Sequence, residues 1–305
     1  MHKVLVTGAN GFVGQHLINE LQRNNIAVMG VGGPTTPNRN DQLTDYQMLD
    51  LTKPEEAAKI DFSEVEGVIH LAGLAAVGPS FNEPVRYIST NVGIETNLFE
   101  AARAQNKQPR FLIISTGALY DPTASLPLSE TSRVLASSPY AVSKLGQEEM
   151  AQYYTQRGFE CVIARPFNHI GPGQGPGFIV PDLAQQVVSQ HEILVGNLDS
   201  RRDYTDVRDI VRAYRLLLEK GRSGEIYNIC SGTAHSGHEI LDGLVSATDK
   251  SPIIKQDSDK MRPSDIPELR GSHDKLTADT GWQPEISIET TLKDVIAEWQ
   301  AKSSN

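Results

Sequence analysis

The segment TGANGFVG, with glycines at Gly8, Gly11 and Gly14, limits what this chain can fold into more than any other stretch. Glycines at such a turn permit a tight reversal and let backbone amides approach a pyrophosphate, whose charge is favoured at a helix N-terminus. The pattern is informative only where a strand precedes it and a helix follows. Both conditions hold: KVLVT reads as a strand over Lys3–Thr7, and Phe12–Asn24 carries helical periodicity. The spacing is G-x-x-G-x-x-G, not the G-x-G-x-x-G of the usual dinucleotide fingerprint.

The same alternation of short apolar runs and helical periods continues along the chain. It predicts strands over Ile26–Val31, Val68–Leu71, Phe111–Ser115, Cys161–Arg165 and Glu225–Cys230, with helices over Asn91–Ala104, Tyr140–Arg157 and Val207–Glu219. Ser236 followed by Glu239, just before Ile240, Leu241 and Leu244, is a capping-box helix start. Loop-like stretches at Gly171–Pro176 and Lys255–Pro267 interrupt the alternation. The expected fold is α/β, a Rossmann-like doubly wound parallel sheet from residues 1–165, rejoined by about 205–232. Residues 166–204 and 233–305 are expected to form a smaller C-terminal substrate lobe. At 305 residues and 39% hydrophobic content the chain can bury such a core.

Charge and composition narrow the partners. A formal net charge of −10 repels nucleic acid and anionic membranes, so a generic polyanion binder is excluded. No window approaches the roughly 20 apolar residues of a membrane helix. MHKVLVTGAN has neither the charge pattern nor the apolar length of a secretory signal, so a cytoplasmic location is expected. Cys161 and Cys230 lie in apolar runs and read as free thiols in a reducing compartment. His235 and His238 share a helical spacing but lack further ligands, so no metal is expected.

The end of the second strand bears on cofactor choice. An acid there would accept hydrogen bonds from the adenosine ribose of NAD. Here the run is VMGVGGPTTPNR, with Gly32 and Gly33 in that place and Arg39 as a residue that could help bind a 2′-phosphate, although a loop Arg could equally be solvated. This favours NADPH, with NADH still possible. Asp50 and Leu51 are placed to flank the adenine, although a strand-end Asp exposed to solvent would look the same.

Tyr140 and Lys144 open a predicted helix four residues apart and so share one face. A nearby ammonium favours the phenolate and lowers a phenol pKa from its usual value near 10, which makes Tyr140 a proton donor to a carbonyl that receives hydride. Thr116 follows the apolar run FLII, where a parallel strand delivers its end to the ligand crevice, and its hydroxyl can hold the same oxygen.

Taken together, TGANGFVG, HLAG at His70–Gly73, Asn91, STGALY ending at Tyr120, SPYAVSK, RPFNHIGPGQ from Arg165, RDYTDVRD from Arg202 and YNICSG resemble the extended short-chain dehydrogenase/reductase family, sugar-nucleotide branch. The likeness covers essentially the whole chain. RPFNHIGPGQ, VGNLDSRRDYTDVRDIVRAY and RPSDIPELRGS are most similar to GDP-4-dehydro-6-deoxy-D-mannose reductases, with GDP-mannose 4,6-dehydratases as near relatives. The resemblance implies cofactor contacts from Gly8, Asn10, Gly11, Phe12, Val13 and Gly14, from Leu71, Ala72 and Gly73, and from Asn91, Pro166, Tyr140 and Lys144. For substrate it implies Thr116, Gly117, Ala118, Asn168 and His169, with Arg202 on the diphosphate and Arg262 on the diphosphate or ribose. By residue type alone, Asn168 could cap a turn and Arg202 could pair with Asp199 or Asp203.

In the dehydratases a carboxylate two residues beyond the catalytic Thr removes the C5 proton. This chain has Ala118 there, and a methyl group cannot act as that base. The resemblance therefore implies NADPH-dependent reduction of the C4 ketone of a GDP-linked 4-keto-6-deoxyhexose to GDP-D-rhamnose, in a homodimer formed through the helices at Asn91–Ala104 and Tyr140–Arg157. A nucleotide-sugar epimerase would use the same residues without net cofactor consumption. A non-catalytic dinucleotide sensor usually lacks the Tyr or Lys kept here.

Overall fold

In a computed structural model, which describes residues 1–38, 40–257 and 266–303, the main sheet is parallel throughout. Its strands are β1 (Lys3–Thr7), β2 (Ala27–Gly32), β3 (Tyr46–Met48), β4 (Gly67–His70), β5 (Arg110–Ile114), β6 (Cys161–Pro166) and β10 (Ile226–Ile229), in the order β10-β6-β5-β4-β1-β2-β3. Period-two alternation sends successive side chains to opposite faces. Val4 and Val6 join one buried cluster with α1 (Phe12–Arg23) and α7 (Val207–Lys220). Leu5 joins the other, with α4 (Pro84–Ala104) and α5 (Pro139–Thr155). This is the Rossmann-like class the sequence implied.

The helix on the third crossover is longer than its periodicity suggested. α4 begins at Pro84, seven residues before Asn91, because Pro at the first position suits a helix start. Val85 and Ile88 in that extra stretch are exposed, so no buried stripe announces it. Two short helices, α2 (Pro54–Ala57) and α3 (Val77–Ser80), complete the crossovers.

A second group of elements stands at the C-terminal edge of the sheet. β7 (Asn168–Ile170), β9 (Arg201–Asp206), β11 (Ala234–Ser236) and β13 (Glu268–Leu269) pair around β9, and β8 (Glu192–Val195) pairs with β12 (Ile253–Gln256). Helices α6 (Ile179–Ser189), α8 (Gly237–Ser246) and α10 (Ile288–Ser303) enclose their own apolar cluster. α8 starts with the capping box read from Ser236 and Glu239. After β13 the chain returns: Leu276 of α9 (Asp274–Thr280) and Trp282 lie in the first cluster, where the indole N–H donates to the Asp209 carbonyl at 2.9 Å.

Three buried aspartates of RDYTDVRD stitch these parts together. Asp203 accepts from the backbone amides of Ser231, Gly232 and Gly271, Asp206 caps α7 and accepts from the Thr291 hydroxyl, and Asp209 accepts from the amides of Glu285 and Ile286. Among the described residues no helix is long and apolar enough to cross a membrane.

The tightest approach lies between α1 and the turn before it. A Cβ on Gly14 would penetrate the Gly8 carbonyl oxygen and come within 2.7 Å of the Ala9 carbonyl oxygen. Gly14→Ala should therefore destabilise the chain by about 1–3 kcal/mol despite alanine's better helix propensity, because the obstructing atoms are backbone. A lowered urea midpoint measures this; an unchanged or raised midpoint would contradict it.

Candidate active site

The strand order reverses beside β1: the chain runs outward through β2 to β3, then returns to β4 on the other side. The carboxyl ends of strands at such a switch point leave a ligand crevice. Gly8 turns there with φ +67°, and a Cβ on it would lie 3.0 Å from the backbone of Leu71 and Ala72. The Ala72 amide donates to the Thr7 hydroxyl at 3.1 Å, and that hydroxyl lies 2.9 Å from Nδ1 of His70. Burial and the Lys144 charge hold the His70 ring neutral, with its pKa lowered to about 3. Gly11 is the exposed N-cap of α1; no side chain caps that helix and its first turn, with Phe12 and Val13, has no acid. The positive end of α1 is thus open to an anion.

At the end of β2 a Cβ on Gly32 would overlap the Tyr46 hydroxyl. The Asn10 amide nitrogen donates to that hydroxyl at 2.7 Å and to the carbonyls of Thr36 and Pro37. The phenol itself donates to the Thr36 carbonyl at 2.5 Å. Tyr46 thereby occupies the space an acid at position 32 would need, so the missing acid is built into the packing. Tyr46 escaped the sequence reading because β3 is short and half-polar. Arg39 lies outside the described residues.

Two residues expected on the adenine side also have local partners. The Asp50 carboxylate caps a local turn through the Thr52 amide and hydroxyl, which hold its pKa below the usual range, with Lys53 3.4 Å away. The Leu51 side chain is buried in the second core cluster. Asn91 also works inward. Its oxygen accepts the Leu74 amide at 2.7 Å, and its nitrogen donates to the Leu74 carbonyl and to the Ser143 hydroxyl at 2.8 Å. It ties the loop holding Gly73, whose own Cβ would crowd the Asn91 oxygen, to α5.

Thr116, Tyr140 and Lys144 converge where β5 and α5 meet. Ser138 caps α5 through the Ala141 amide and Pro139 fills its first position, which sets Tyr140 and Lys144 on the buried face. The Thr116 hydroxyl accepts from the Ala118 amide at 3.1 Å and lies on the Tyr140 side of the crevice, where it favours the ionised phenol. The expectation that Lys144 directly lowers the Tyr140 pKa needs correction. Burial dominates and pushes Tyr140 up to about 12, and the group that counters it is Thr116. The Lys144 ammonium instead donates to the Ile114 carbonyl and to Oε1 of Gln147, each at 2.8 Å. Burial lowers Lys144 to about 8, with Glu95 and Glu148 opposing. Residues four apart share a helix face, but a lysine long enough to reach β5 need not end beside the tyrosine hydroxyl.

Beneath this pair, Arg165 makes a bidentate ion pair with Glu148, at 2.8 and 2.6 Å, and both are buried. The Ser115 hydroxyl also donates to Glu148. The guanidinium lies 4.9 Å from the Tyr120 ring centroid, and the Tyr120 hydroxyl donates to Asn228. The signal for this pair was present: a single Arg in the apolar strand CVIARPF and a Glu one turn after Lys144.

The substrate-side residues are more scattered. A Cβ on Gly117 would meet the Phe167 ring at 2.9 Å, so this glycine packs against it. Ala118 is half-buried in the single 3-10 turn after Thr116, and Pro166 ends β6 at the crevice. On β7, Asn168 is exposed, while the His169 ring stacks 6.2 Å from Phe12 with its pKa lowered by burial. Arg202 on β9 donates to the Ile266 carbonyl at 2.7 Å. Asp203 accepts instead from Ser231, Gly232 and Gly271, and Asp199 lies 3.3 Å from His238. Arg262 lies outside the described residues.

Residues 4–230 match the family described as NAD dependent epimerase/dehydratase family. The chain belongs to this family. Within the family, the chain is 35% identical over 98% of both lengths to the GDP-6-deoxy-D-mannose reductase of Pseudomonas aeruginosa. It is 31% identical over 90% of both lengths to the GDP-6-deoxy-D-talose 4-dehydrogenase of Aggregatibacter actinomycetemcomitans. Among solved structures, RMD from Pseudomonas aeruginosa complexed with NADPH superposes with a TM-score of 0.89 at 33% identity, covering 99% of this chain and 100% of that one. The family is NAD(P)-dependent, and the chain is an enzyme of that group.

Removing one half of the buried pair leaves an uncompensated charge. Arg165→Leu should cost about 3–5 kcal/mol, whereas Arg165→Leu with Glu148→Leu should recover most of that loss. Urea unfolding of the two variants checks this, and a double variant no better than the single one would refute it.

Proposed function

We propose that the chain reduces the C4 ketone of GDP-4-dehydro-6-deoxy-D-mannose with NADPH, giving GDP-D-rhamnose. The observation that carries the reading is the convergence of Thr116, just past β5, with Tyr140 and Lys144 on the buried face of α5. The reductase relative at 35% identity and the NADPH-bound structure support the substrate and the cofactor. The residues fit a dinucleotide: Gly8, Gly11 and Gly14 leave backbone amides and an uncapped helix start for a pyrophosphate, and Gly32 backed by Tyr46 excludes the acid that would repel a 2′-phosphate. When bound, the cofactor supplies a hydride from its nicotinamide.

The chain's own residues do the rest. The Thr116 hydroxyl holds the ketone oxygen and Tyr140 donates the proton to it as the carbon is reduced. A phenol near 12 is a weak acid in water, but the alkoxide forming in the transition state is a stronger base, so the transfer is downhill. The Lys144 ammonium binds the nicotinamide ribose. Asn91 keeps the loop at Gly73 docked on α5. Asn168, His169, Arg202 and Arg262 take the sugar and diphosphate, with Arg39 on the 2′-phosphate. Ala118 offers no base for dehydration.

Residues 166–204 with 233–305 form the substrate lobe in this reading, apart from α9 and Trp282, which return to the first core cluster beside α7 and so correct the expected boundary. Exposed Val85 and Ile88 on α4, with Val142 and Tyr153 on α5, support a homodimer through these two helices, and the enzyme works in the cytoplasm. The talose-type relative makes the C4 configuration the point that product analysis must decide.

Purified protein incubated with NADPH and GDP-4-keto-6-deoxymannose should oxidise cofactor in step with formation of GDP-D-rhamnose. Sugar isomerisation without cofactor oxidation would make the chain an epimerase, and an unreacted ketone would sink the substrate assignment. Tyr140→Phe should lower kcat by about 10²–10⁴-fold with NADPH binding retained, because only the proton donor is removed. A variant as active as the parent would refute Tyr140 as donor.

A further inference from the structure

Two acids face Lys144, and only one has its charge matched. Glu148 is held by Arg165 and Ser115. Glu95, on α4, is fully buried and neither carboxyl oxygen has a hydrogen-bond partner among the described residues. Gln147 stands between them on α5. Its Oε1 accepts from Lys144 at 2.8 Å, while its Nε2, like both Glu95 oxygens, makes no hydrogen bond. One turn earlier on the same helices the Asn91 amide donates to the Ser143 hydroxyl at 2.8 Å, which turns this face of α4 toward this face of α5. A buried ammonium and a buried carboxyl are each costly alone, and each is the natural compensation for the other.

We propose that Glu95 is a positioning residue for Lys144: its carboxylate, set across Gln147, supplies the counter-charge that keeps Lys144 protonated on the helix that carries Tyr140. The proposal rests on the roles given above to Tyr140 and Lys144. Among the described residues the other titratable groups around the pair are neutral or already matched, the Tyr87 and Tyr214 phenols being pushed up by burial. His70 on β4 is neutral with its pKa near 3, the Cys161 thiol on β6 is pushed up to about 12 by burial, and Tyr140 lies near 12. Arg165 on β6 compensates Glu148, and β5 presents only the Ile114 carbonyl and Ser115. Burial raises Glu95 well above the ordinary carboxylate range, and Lys144 is the first group that pulls it back. Reciprocally, Glu95 is the larger of the two acids holding Lys144 up against burial.

The test uses full-length protein labelled with ¹³Cε-lysine, the Lys144 signal being assigned by its disappearance in Lys144→Met. In the parent its midpoint should fall near pH 8. Glu95→Gln removes a charge and keeps the shape, and should lower that midpoint by about one unit or more, the effect of one close opposite charge. Glu95→Asp, with a retained but more distant charge, should lower it less, which separates charge from packing damage. The alkaline limb of kcat should move to lower pH by the same amount. An unmoved Lys144 midpoint in Glu95→Gln overturns the proposal, as does a moved midpoint with an unmoved kcat limb. If the parent fails to turn over the ketone, the functional reading falls, while the NMR titration still decides the pairing of Glu95 with Lys144.

Discussion

The closeness of α1 to the turn before it is the constraint on which the rest of this molecule hangs. Gly14 lies against the carbonyls of Gly8 and Ala9, and Gly8 against the backbone after β4. These contacts leave no room for a side chain, and they fix three things at once: the angle at which α1 covers the sheet, the opening at its N-terminus, and the spacing between β1 and β4. The crevice at the switch point follows from them. Thr7 and His70 extend the junction, since the Thr7 hydroxyl links β1 to both the His70 ring and the Ala72 amide.

Reading these features from sequence succeeded where local chemistry is unambiguous. The glycine turn, the apolar parallel strands and the Ser236 cap each depend on a few neighbouring residues. β9 was hidden because its sequence, RRDYTD, is polar, and it is a strand only because β7, β11 and β13 flank it. Asp203 looked like a partner for Arg202, yet it is committed to amides at Ser231, Gly232 and Gly271, remote in sequence. Such long-range bonds have no periodicity to betray them.

The site was legible as a set of residues and less so as a set of interactions. Spacing put Tyr140 and Lys144 on one helix face, but it does not say where a four-carbon side chain ends. The Ile114 carbonyl and Gln147 decide that, and with burial they reverse the expected direction of the Tyr140 shift. In the same way, neither the strand-end position of Asp50 nor the resemblance that marked Asn91 announces their local bonds to Thr52, Leu74 and Ser143.

Holding an ammonium in such a place works against folding. Lys144 has a lower pKa in the native chain than in the unfolded one, from 10.5 to about 8. The sign is therefore unfavourable: below pH 8 both states carry the proton and the native state bears the full penalty, on the order of 3 kcal/mol, which fades as pH rises toward the unfolded value. A group kept at that cost is compensated elsewhere, and the two core clusters flanking the sheet are where the compensation lies. The rigid packing of α4 against α5 serves both ends: it buries the apolar face that stabilises the sheet and sets Glu95 opposite Lys144, so the stability of the helix pair and the charge state of the site are one property of the same interface.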